Sequence, residues 1–313
     1  MGNLRQNLLQ GKNVNPDFPL KEYLERQKAL IDRTLDETLP GGASDPALIF
    51  EAVRYSMFAG GKRLRPILCM AAAEAVGGET SAILPAACAL EMIHTYSLIH
   101  DDLPAMDNDD YRRGKPTSHK VFGEGIAVLA GDALLTEAFR LLCDRERMPG
   151  IPPERTLRVV REIAEAAGFF GMVGGQVMDI LAEGEKVDLQ TLYAIHRRKT
   201  GALILVSLRA GAILAGAEEE ALAALSDYGR QIGLAFQITD DILNVEGDPA
   251  LLGKGTGSDA ARGKVTFPAL MGIEASRVRA QELIREALVS LDSFDNRTAP
   301  LRAIARHILE RRS

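Results

Sequence analysis

From about Leu20 onward, apolar residues recur at intervals of three and four along most of the chain. In the first such segment Leu20, Leu24, Ile31 and Leu35 fall near one stripe, and the pattern ends at Pro40. This spacing is typical of amphipathic helices, and the alternating β-branched runs that mark strands are missing. The pattern predicts helices over roughly residues 20–39, 46–60, 65–76, 80–101, 125–145, 153–183, 189–198, 200–216, 218–247, 266–274, 276–293 and 298–312.

Several of these segments, such as ILCMAAAEAV and GALILVSLRAGAIL, are apolar on every face. Helices of this kind lie inside a large bundle rather than on its surface. The sequence contains neither a long Gly/Ser/Pro linker nor a fixed-period repeat. This favours a single all-α domain that comprises residues 20–313. Residues 1–19 are polar and rich in Asn, so we expect a flexible N-terminal segment. Ser44 and Asp45, ahead of Pro46, predict the cap of the second helix.

Composition indicates a soluble globular protein, since 46% of the 313 residues are hydrophobic and 26% are charged. The net charge of −6 and the 5% aromatic content argue against nucleic-acid binding. Cys69, Cys88 and Cys143 lie apart in apolar stretches, which predicts three buried thiols in a reducing compartment. The apolar segment 201–217 contains Arg209 and is too short for a confident membrane span. We therefore expect a cytoplasmic protein without stable membrane insertion.

The first acidic motif, HDDLPAMDNDD (residues 100–110), places five carboxylates directly after an apolar helix. On a continuous helix Asp101 and Asp107 would point about 240° apart. Pro104 lies between them and is placed to break the helix, which would let both carboxylates approach one ion. The alternative interpretation is a solvated acidic loop.

The second acidic motif, QITDDILN (residues 237–244), interrupts another apolar helix. Gln237, Asp240 and Asn244 share one helical face. Burying these polar groups without hydrogen-bond partners would cost on the order of several kcal/mol each. Two carboxylate sets facing one cavity suit a hard cation such as Mg²⁺, which binds oxygen ligands and substrate phosphates together.

Basic residues accompany both acidic motifs. The basic loop GGKRLRP (residues 60–66) supplies Lys62, Arg63 and Arg65 ahead of a helix, and it lacks the Walker pattern. Further basic groups occur in RRG (112–114), in HRRKTG (196–201) and in GKGTGSDAARGK (253–264). Guanidinium groups and helix-start amides bind phosphates, although each segment alone could be a solvated helix start. Together they predict a site for two anionic groups, one of them bridged by metal.

These motifs, with EMIHTYSLI, GDALL, GMVGGQVMD and GKVTFPAL, resemble those of trans-isoprenyl diphosphate synthases, in particular bacterial-type short-chain farnesyl diphosphate synthases. They follow the family order from about residue 45 to 275. The resemblance implies an all-α helical bundle of the isoprenoid synthase type around a deep central cavity. It also implies a homodimer, three Mg²⁺ ions in each active site, and isopentenyl and allylic diphosphates as substrates.

The resemblance carries over to individual positions of this chain. It implies Mg²⁺ ligands at Asp101, Asp102, Asp107, Asp240 and Asp241, with Asp259 assisting. It implies contacts to the allylic diphosphate from Arg112, Lys199, Lys254 and Lys264, and to isopentenyl diphosphate from Lys62, Arg65, His94 and Arg113. Thr200, Gln237 and the carbonyl of Lys199 would face the carbocation. The sequence departs from the family at Asn244, where most relatives have aspartate, so we expect weaker support for the third metal.

The implied reaction is the head-to-tail condensation of isopentenyl diphosphate with dimethylallyl and geranyl diphosphate. Tyr96, followed by Ser97, lies five residues before Asp101, and a bulky ring there would close the cavity floor early. We therefore expect farnesyl diphosphate as product. The alternative is a geranylgeranyl diphosphate synthase with a deeper cavity, and Tyr96 would then be ordinary core packing. A class I terpene cyclase and a non-catalytic subunit are more distant alternatives.

Overall fold

The computed structural model describes residues 18–41, 45–246 and 264–311. Its helices are α1 (Leu20–Thr38), α2 (Ala47–Met57), α3 (Leu64–Ala75), α4 (Leu84–Asp101), α5 (Ser118–Phe122), α6 (Glu124–Leu142), α7 (Pro153–Ala167), α8 (Met172–Ala182), α9 (Leu189–His196), α10 (Ala202–Ala215), α11 (Glu219–Glu246), α12 (Phe267–Met271), α13 (Ile273–Ser290) and α14 (Ala299–Glu310). A π-helical turn (Arg197–Gly201) joins α9 to α10, and a 3₁₀ turn (Asn296–Thr298) precedes α14. The strands β1 (Tyr111–Arg112) and β2 (Lys115–Pro116) form an antiparallel hairpin. The predicted all-α fold class is confirmed.

Burial separates surface helices from central ones as the hydrophobic pattern predicts. Helix α1 buries Tyr23, Gln27, Ile31 and Leu35, which is one residue in four along a single stripe. Helix α3, in contrast, buries every residue from 66 to 73. A helix buried on all faces must contact neighbours on all faces, so α3 lies inside the bundle.

The central helices approach one another closely. Helix α3 packs along α10, and α4 packs along α6. A Cβ atom on Gly211 of α10 would lie 1.9 Å from the carbonyl oxygen of Cys69 in α3. Only glycine fits at this crossing, because the opposing atom belongs to the backbone and cannot rotate away.

One predicted helix, over residues 153–183, is two helices in the structure. Helix α7 ends at Ala167 and α8 begins at Met172, with a turn between them. A Cβ atom on Gly171 in that turn would lie 1.9 Å from the carbonyl oxygen of Ala166. Only glycine permits this close approach of the turn to the end of α7.

Two smaller expectations were wrong. Helix α2 begins after Pro46 without a side-chain cap hydrogen bond, because proline fixes the entry of the chain instead. Ser44 and the segment 1–17 lie outside the described residues. Cys69 and Cys88 are buried as predicted, whereas Cys143 is exposed at the end of α6.

Within residues 18–41, 45–246 and 264–311, no helix is long and apolar enough to cross a bilayer.

Candidate active site

The first acidic motif lies where α4 ends. Asp101 is the last residue of α4, and the chain then turns back so that the Asp107 N–H donates to the Asp101 carbonyl oxygen at 2.8 Å. The predicted break before Asp107 is therefore present. It brings together two carboxylates that a continuous helix would point in different directions.

The surroundings of the Asp101 carboxylate disfavour its charged form. Burial raises the pKa of Asp101 to about 6, and the charges of Asp107 and Asp102 add to this effect while Lys199 and Arg112 oppose it. Lys264 donates to Asp107 Oδ1 at 3.3 Å. Neighbouring buried carboxylates favour a bound cation, since a positive charge relieves their mutual repulsion.

Asp102, the next carboxylate, is paired within the protein. Arg112 Nε donates to both Asp102 oxygens at 2.8 Å, and Arg112 Nη2 donates to Oδ1 at 2.6 Å. Arg112 sits on β1, so the hairpin delivers this guanidinium to the end of α4. The structure thus places a predicted metal ligand and a predicted diphosphate contact in one ion pair.

The basic loop presents two arginines with different surroundings. Arg63, at φ 53°, is buried and donates to Asp32, to Glu91 and to the Met57 carbonyl oxygen. Arg65 is half-buried, and its Nε atom has no hydrogen-bond partner within the part of the chain that the structure describes. Burial lowers the pKa of Arg65 to about 10. The Arg65 Nε is therefore an unsatisfied buried donor among the described residues.

His94 and Arg113 lie near Arg65. Burial lowers the pKa of His94 well below its ordinary value, and the charges of Arg65 and Arg113 lower it further. The imidazole is therefore neutral at pH 7. Arg113 donates to the Gly60 carbonyl oxygen, which connects the hairpin to the basic loop. Three residues implied for isopentenyl diphosphate binding are thus neighbours.

The π-helical turn positions Lys199 and Thr200. Lys199 Nζ lies 2.5 Å from Asp179 Oδ2 of α8, and Thr200 Oγ1 donates to Gln237 Oε1 at 3.2 Å. A Cβ atom on Gly175 of α8 would lie 2.2 Å from the Lys199 backbone nitrogen. Glycine at this position allows α8 to rest directly on the turn.

The two adjacent aspartates of the second acidic motif, Asp240 and Asp241, lie in different environments. Asp240 is 42% exposed at its side chain and pairs with Arg311 Nη2 at 3.0 Å. Asp241 is 3% exposed and accepts hydrogen bonds from the Phe267 N–H and from Gln237 Nε2, each at 3.0 Å. Asp241 was implied as a metal ligand, yet its hydrogen bonds hold it against α12 and Gln237.

Arg311 at the C-terminal end of α14 belongs to this region. Its guanidinium carbon lies 4.4 Å from the centroid of the Phe236 ring. Burial lowers the pKa of Lys62, the positive charge of Arg311 lowers it further, and the negative charge of Asp240 opposes both effects. Lys62, Asp240 and Arg311 are therefore close together. Lys254 and Asp259 lie outside the described residues.

A cavity of about 440 Å³ is lined by residues of α4, α8 and the π-helical turn. Arg65, His94, Asp101, Lys199 and Thr200 line one part of it. The apolar part of its lining comprises Tyr96, Leu98, Met106, Met172, Val173, Val177 and Ile180. Ser97 also lines the cavity, and its hydroxyl donates to the His94 carbonyl oxygen at 2.9 Å. The arrangement suits a ligand with an anionic head and a hydrocarbon tail.

The chemistry of the carboxylates fits Mg²⁺, since Asp101 and Asp107 offer hard oxygen donors. In the ranges that the structure describes, however, no three His, Cys, Asp or Glu side chains form a ready metal-binding group. The number of three ions implied by the resemblance stays a prediction.

Comparison with known proteins decides the family. The family model described as "Polyprenyl synthetase" matches residues 46–299. The chain belongs to the polyprenyl synthetase family. It is accordingly a trans-prenyltransferase, which confirms the coarse functional prediction.

Individual relatives are similar over nearly the whole chain. A geranylgeranyl diphosphate synthase from Cyanophora paradoxa is 46% identical over 96% of this chain and 99% of its own length. The heterodimeric geranylgeranyl pyrophosphate synthase large subunit 1, chloroplastic, of Arabidopsis thaliana is 49% identical over 98% of this chain and 83% of its own. The structure of an FPP/GFPP synthase from Zymomonas mobilis superposes with a TM-score of 0.83, at 42% identity over 93% of this chain and 98% of that one.

Sequence reasoning missed three parts of the site. Arg311 belongs to none of the motifs, and only its position in the fold brings it to Asp240. The hairpin that carries Arg112 has no strand pattern, because each strand is two residues long. Gly175 stood out only as part of a glycine-rich segment, GMVGG, which gave no sign that its backbone touches Lys199.

Proposed function

We propose that this prenyltransferase condenses isopentenyl diphosphate with allylic diphosphates and releases geranylgeranyl diphosphate. The observation that carries the proposal is the cavity, whose apolar walls lead to Asp101, Lys199 and Arg65. The end of the cavity lined by charged side chains binds the diphosphate group of the substrate, and the apolar length accepts the growing prenyl chain.

Mg²⁺ would be held by Asp101 and Asp107 at one side and by Asp240 at the other. When bound, it supplies positive charge that stabilises the departing diphosphate. Asp102 orients Arg112 rather than competing for the ion, because three hydrogen bonds join the two side chains. Asn244 is an amide in the second acidic motif and contributes no charge there.

The chain's own cations provide the rest of the diphosphate binding. Arg112, Lys199 and Lys264 lie beside the first acidic motif, where the allylic diphosphate leaves. We assign Lys254 to the same group from the sequence alone. Fixed positive charge at the site where negative charge develops lowers the barrier to ionisation.

Isopentenyl diphosphate is bound by a second group of residues, namely Lys62, Arg65, His94 and Arg113. Neutral His94 offers a hydrogen bond without adding repulsion to the neighbouring guanidinium groups. The C–O bond of the allylic diphosphate breaks, and the double bond of isopentenyl diphosphate attacks the resulting allylic cation. The proton lost from the condensed cation goes to the departed diphosphate, so no protein nucleophile is needed. The apolar walls exclude water, which would otherwise trap the cation as an alcohol.

Product length rests on the relatives and on Tyr96. Both curated relatives described above are named for geranylgeranyl products, which favours the twenty-carbon chain over the farnesyl product expected from the sequence. Farnesyl diphosphate is the second candidate, because the Tyr96 ring is 7% exposed and forms part of the cavity lining. Chromatographic sizing of the prenyl alcohols, made with dimethylallyl, geranyl and farnesyl diphosphate as starters, separates the two.

The experiment that tests the activity compares the wild type with Asp101→Asn. Asp101→Asn should lose condensation while keeping its fold, because it removes a charged oxygen ligand from the cavity. Asp227→Asn, an exposed carboxylate on α11, is the matched control and should keep full activity. EDTA should stop the wild type and Mg²⁺ should restore it. Full turnover by Asp101→Asn, or persistent turnover in chelator, would contradict the assignment.

We also propose that the chain works as a homodimer. Phe169 and Phe170, in the turn before α8, are 84% and 82% exposed, and Leu181 near the end of α8 is 71% exposed. A surface of this kind favours burial in an interface. Light scattering should give a mass near twice the 33.9 kDa of one chain, and a mass of one chain would exclude the dimer.

A further inference from the structure

Asp241 lies in the second acidic motif but does not share the surroundings of Asp240. Its Oδ2 accepts from the backbone N–H of Phe267, the first residue of α12. The first N–H groups of a helix lack partners within the helix, so Asp241 satisfies a donor that would otherwise be buried and unpaired. This donor belongs to the backbone and cannot rotate.

The second oxygen of Asp241 fixes the orientation of a neighbouring amide. Oδ1 accepts from Gln237 Nε2 at 3.0 Å. An ionised carboxylate only accepts hydrogen bonds, so the Gln237 amide must turn its NH₂ group toward Asp241. The Gln237 oxygen then points to the opposite side.

Thr200 extends this arrangement to the cavity. Its hydroxyl donates to Gln237 Oε1 at 3.2 Å, and Thr200 itself lines the cavity. The donors therefore run in one direction, from Thr200 to Gln237 and from Gln237 to Asp241. Because the Thr200 proton is held by Gln237, the lone pairs of the hydroxyl oxygen remain for other partners.

We propose that Asp241 is a positioning residue that sets the polarity of this hydrogen-bond chain. It keeps the oxygen of Thr200, rather than its proton, available to the allylic cation, and in this respect it rests on the proposed function. Oxygen dipoles oriented before the reaction stabilise positive charge as it forms. The role differs from metal binding, which the sequence resemblance implied for Asp241.

Asp241→Asn should reverse the chain without removing it. The single oxygen of asparagine goes to the fixed Phe267 N–H, and its NH₂ then faces Gln237. Gln237 can relieve the clash of two donors by turning its amide over. Its NH₂ would then donate to Thr200 and release the Thr200 proton toward the cavity.

Gln237→Glu in the Asp241→Asn background should restore the original direction. The carboxylate introduced at position 237 would accept from the asparagine NH₂ with one oxygen and from the Thr200 hydroxyl with the other. The double variant only exchanges the amide and the carboxylate between the two positions. Its net charge and its number of donors and acceptors equal those of the wild type.

The test measures kcat, KM for both diphosphates, and calorimetric binding of Mg²⁺ in the presence of inorganic pyrophosphate. Asp241→Asn should lower kcat about 100-fold, the usual effect of one misoriented group in a charge-stabilising site, with KM and Mg²⁺ affinity unchanged. The double variant should recover most of kcat. Gln237→Glu alone places two carboxylates together and should be less active than the wild type. Adding Asp241→Asn to Gln237→Glu should raise the activity, and this comparison holds even if Asp241→Asn alone folds poorly.

The possible results separate the two roles of Asp241. Loss of Mg²⁺ affinity in Asp241→Asn, with no recovery in the double variant, would make Asp241 a metal ligand and overturn the proposal. The proposal would also be overturned if the double variant folds but is no more active than the two single variants. Absence of condensation in the wild type would refute the proposed function, whereas an active wild type with unrescued variants refutes only the role of Asp241.

Discussion

Gly175→Ala tests whether the contact between α8 and the π-helical turn governs catalysis. An added Cβ would lie 2.2 Å from the backbone nitrogen of Lys199, 2.7 Å from its Cα and 2.9 Å from the carbonyl carbon of Arg198. All three are backbone atoms, so no side-chain rotation can relieve the contact. The methyl group can fit only if α8 and the turn separate by roughly 1 Å, because carbon and nitrogen atoms pack at about 3.5 Å.

Such a displacement has two measurable consequences. Overpacking of this kind costs about 1–3 kcal/mol of unfolding free energy. Moving Lys199 and Thr200 by about 1 Å should lower kcat by around 100-fold, since positional errors of that size have this effect on catalysis. Steady-state condensation gives kcat, and urea unfolding gives the stability of the same preparation.

Gly125→Ala on α6 is the matched control. A Cβ atom there meets nothing within 4 Å in the described structure, so the added methyl group is accommodated. Alanine is also the better helix former by about 1 kcal/mol, so this variant should be as stable as the wild type or more so. If Gly175→Ala keeps the kcat and the stability of the wild type, the contact does not position the turn and our reasoning is wrong.

Three further predictions concern the core and the cavity. Arg63→Ala should lower the unfolding free energy by about 3–5 kcal/mol in urea titration, because it leaves the buried Glu91 carboxylate unpaired. Burial alone would raise the pKa of Glu162, but hydrogen bonds from Arg209 hold it below its ordinary value of 4.5, so the ion pair stabilises the fold above that pH. The stability difference between the wild type and Glu162→Gln should therefore shrink as the pH of urea titrations falls below 4.5. Tyr96→Ala should lengthen the product seen by chromatography, while Tyr96→Phe keeps the ring and should keep the length; identical products from both would exclude Tyr96 as the cavity floor.

Hydrophobic periodicity was sufficient to predict the fold class and most of the helices. Helix α3 is apolar on every face, and it is buried along its length as that pattern requires. The end of α4 at Asp101 could also be predicted, because proline at position 104 forbids the hydrogen bonds of a continuing helix. The break at Gly168–Gly171 was missed, since glycine within an apolar run marks a helix contact as often as a helix end.

Hydrogen-bond direction within the site could not be predicted from spacing. Gln237 and Asp240 are three residues apart and were assigned to one face, yet Gln237 bonds to Asp241, four residues away. Both spacings bring side chains together on a helix, so the pattern does not choose between them. The choice depends on Phe267, which comes from a distant part of the chain and holds Asp241 inside the protein.

Arg63 and Arg65 show how far the same residue type can differ in role over two positions. Asp32, Glu91 and the Met57 carbonyl neutralise Arg63, so its charge is used within the protein to hold the loop. Arg65 turns to the cavity, where burial lowers its pKa to about 10 and its Nε has no partner in the described residues. Burial disfavours the charged form of Arg65 and the charge of Glu91 only partly offsets this, so a bound anion would stabilise the guanidinium. In the proposed function that anion is a substrate diphosphate, and Arg63, paired with Asp32 and Glu91, fixes the loop that carries Arg65.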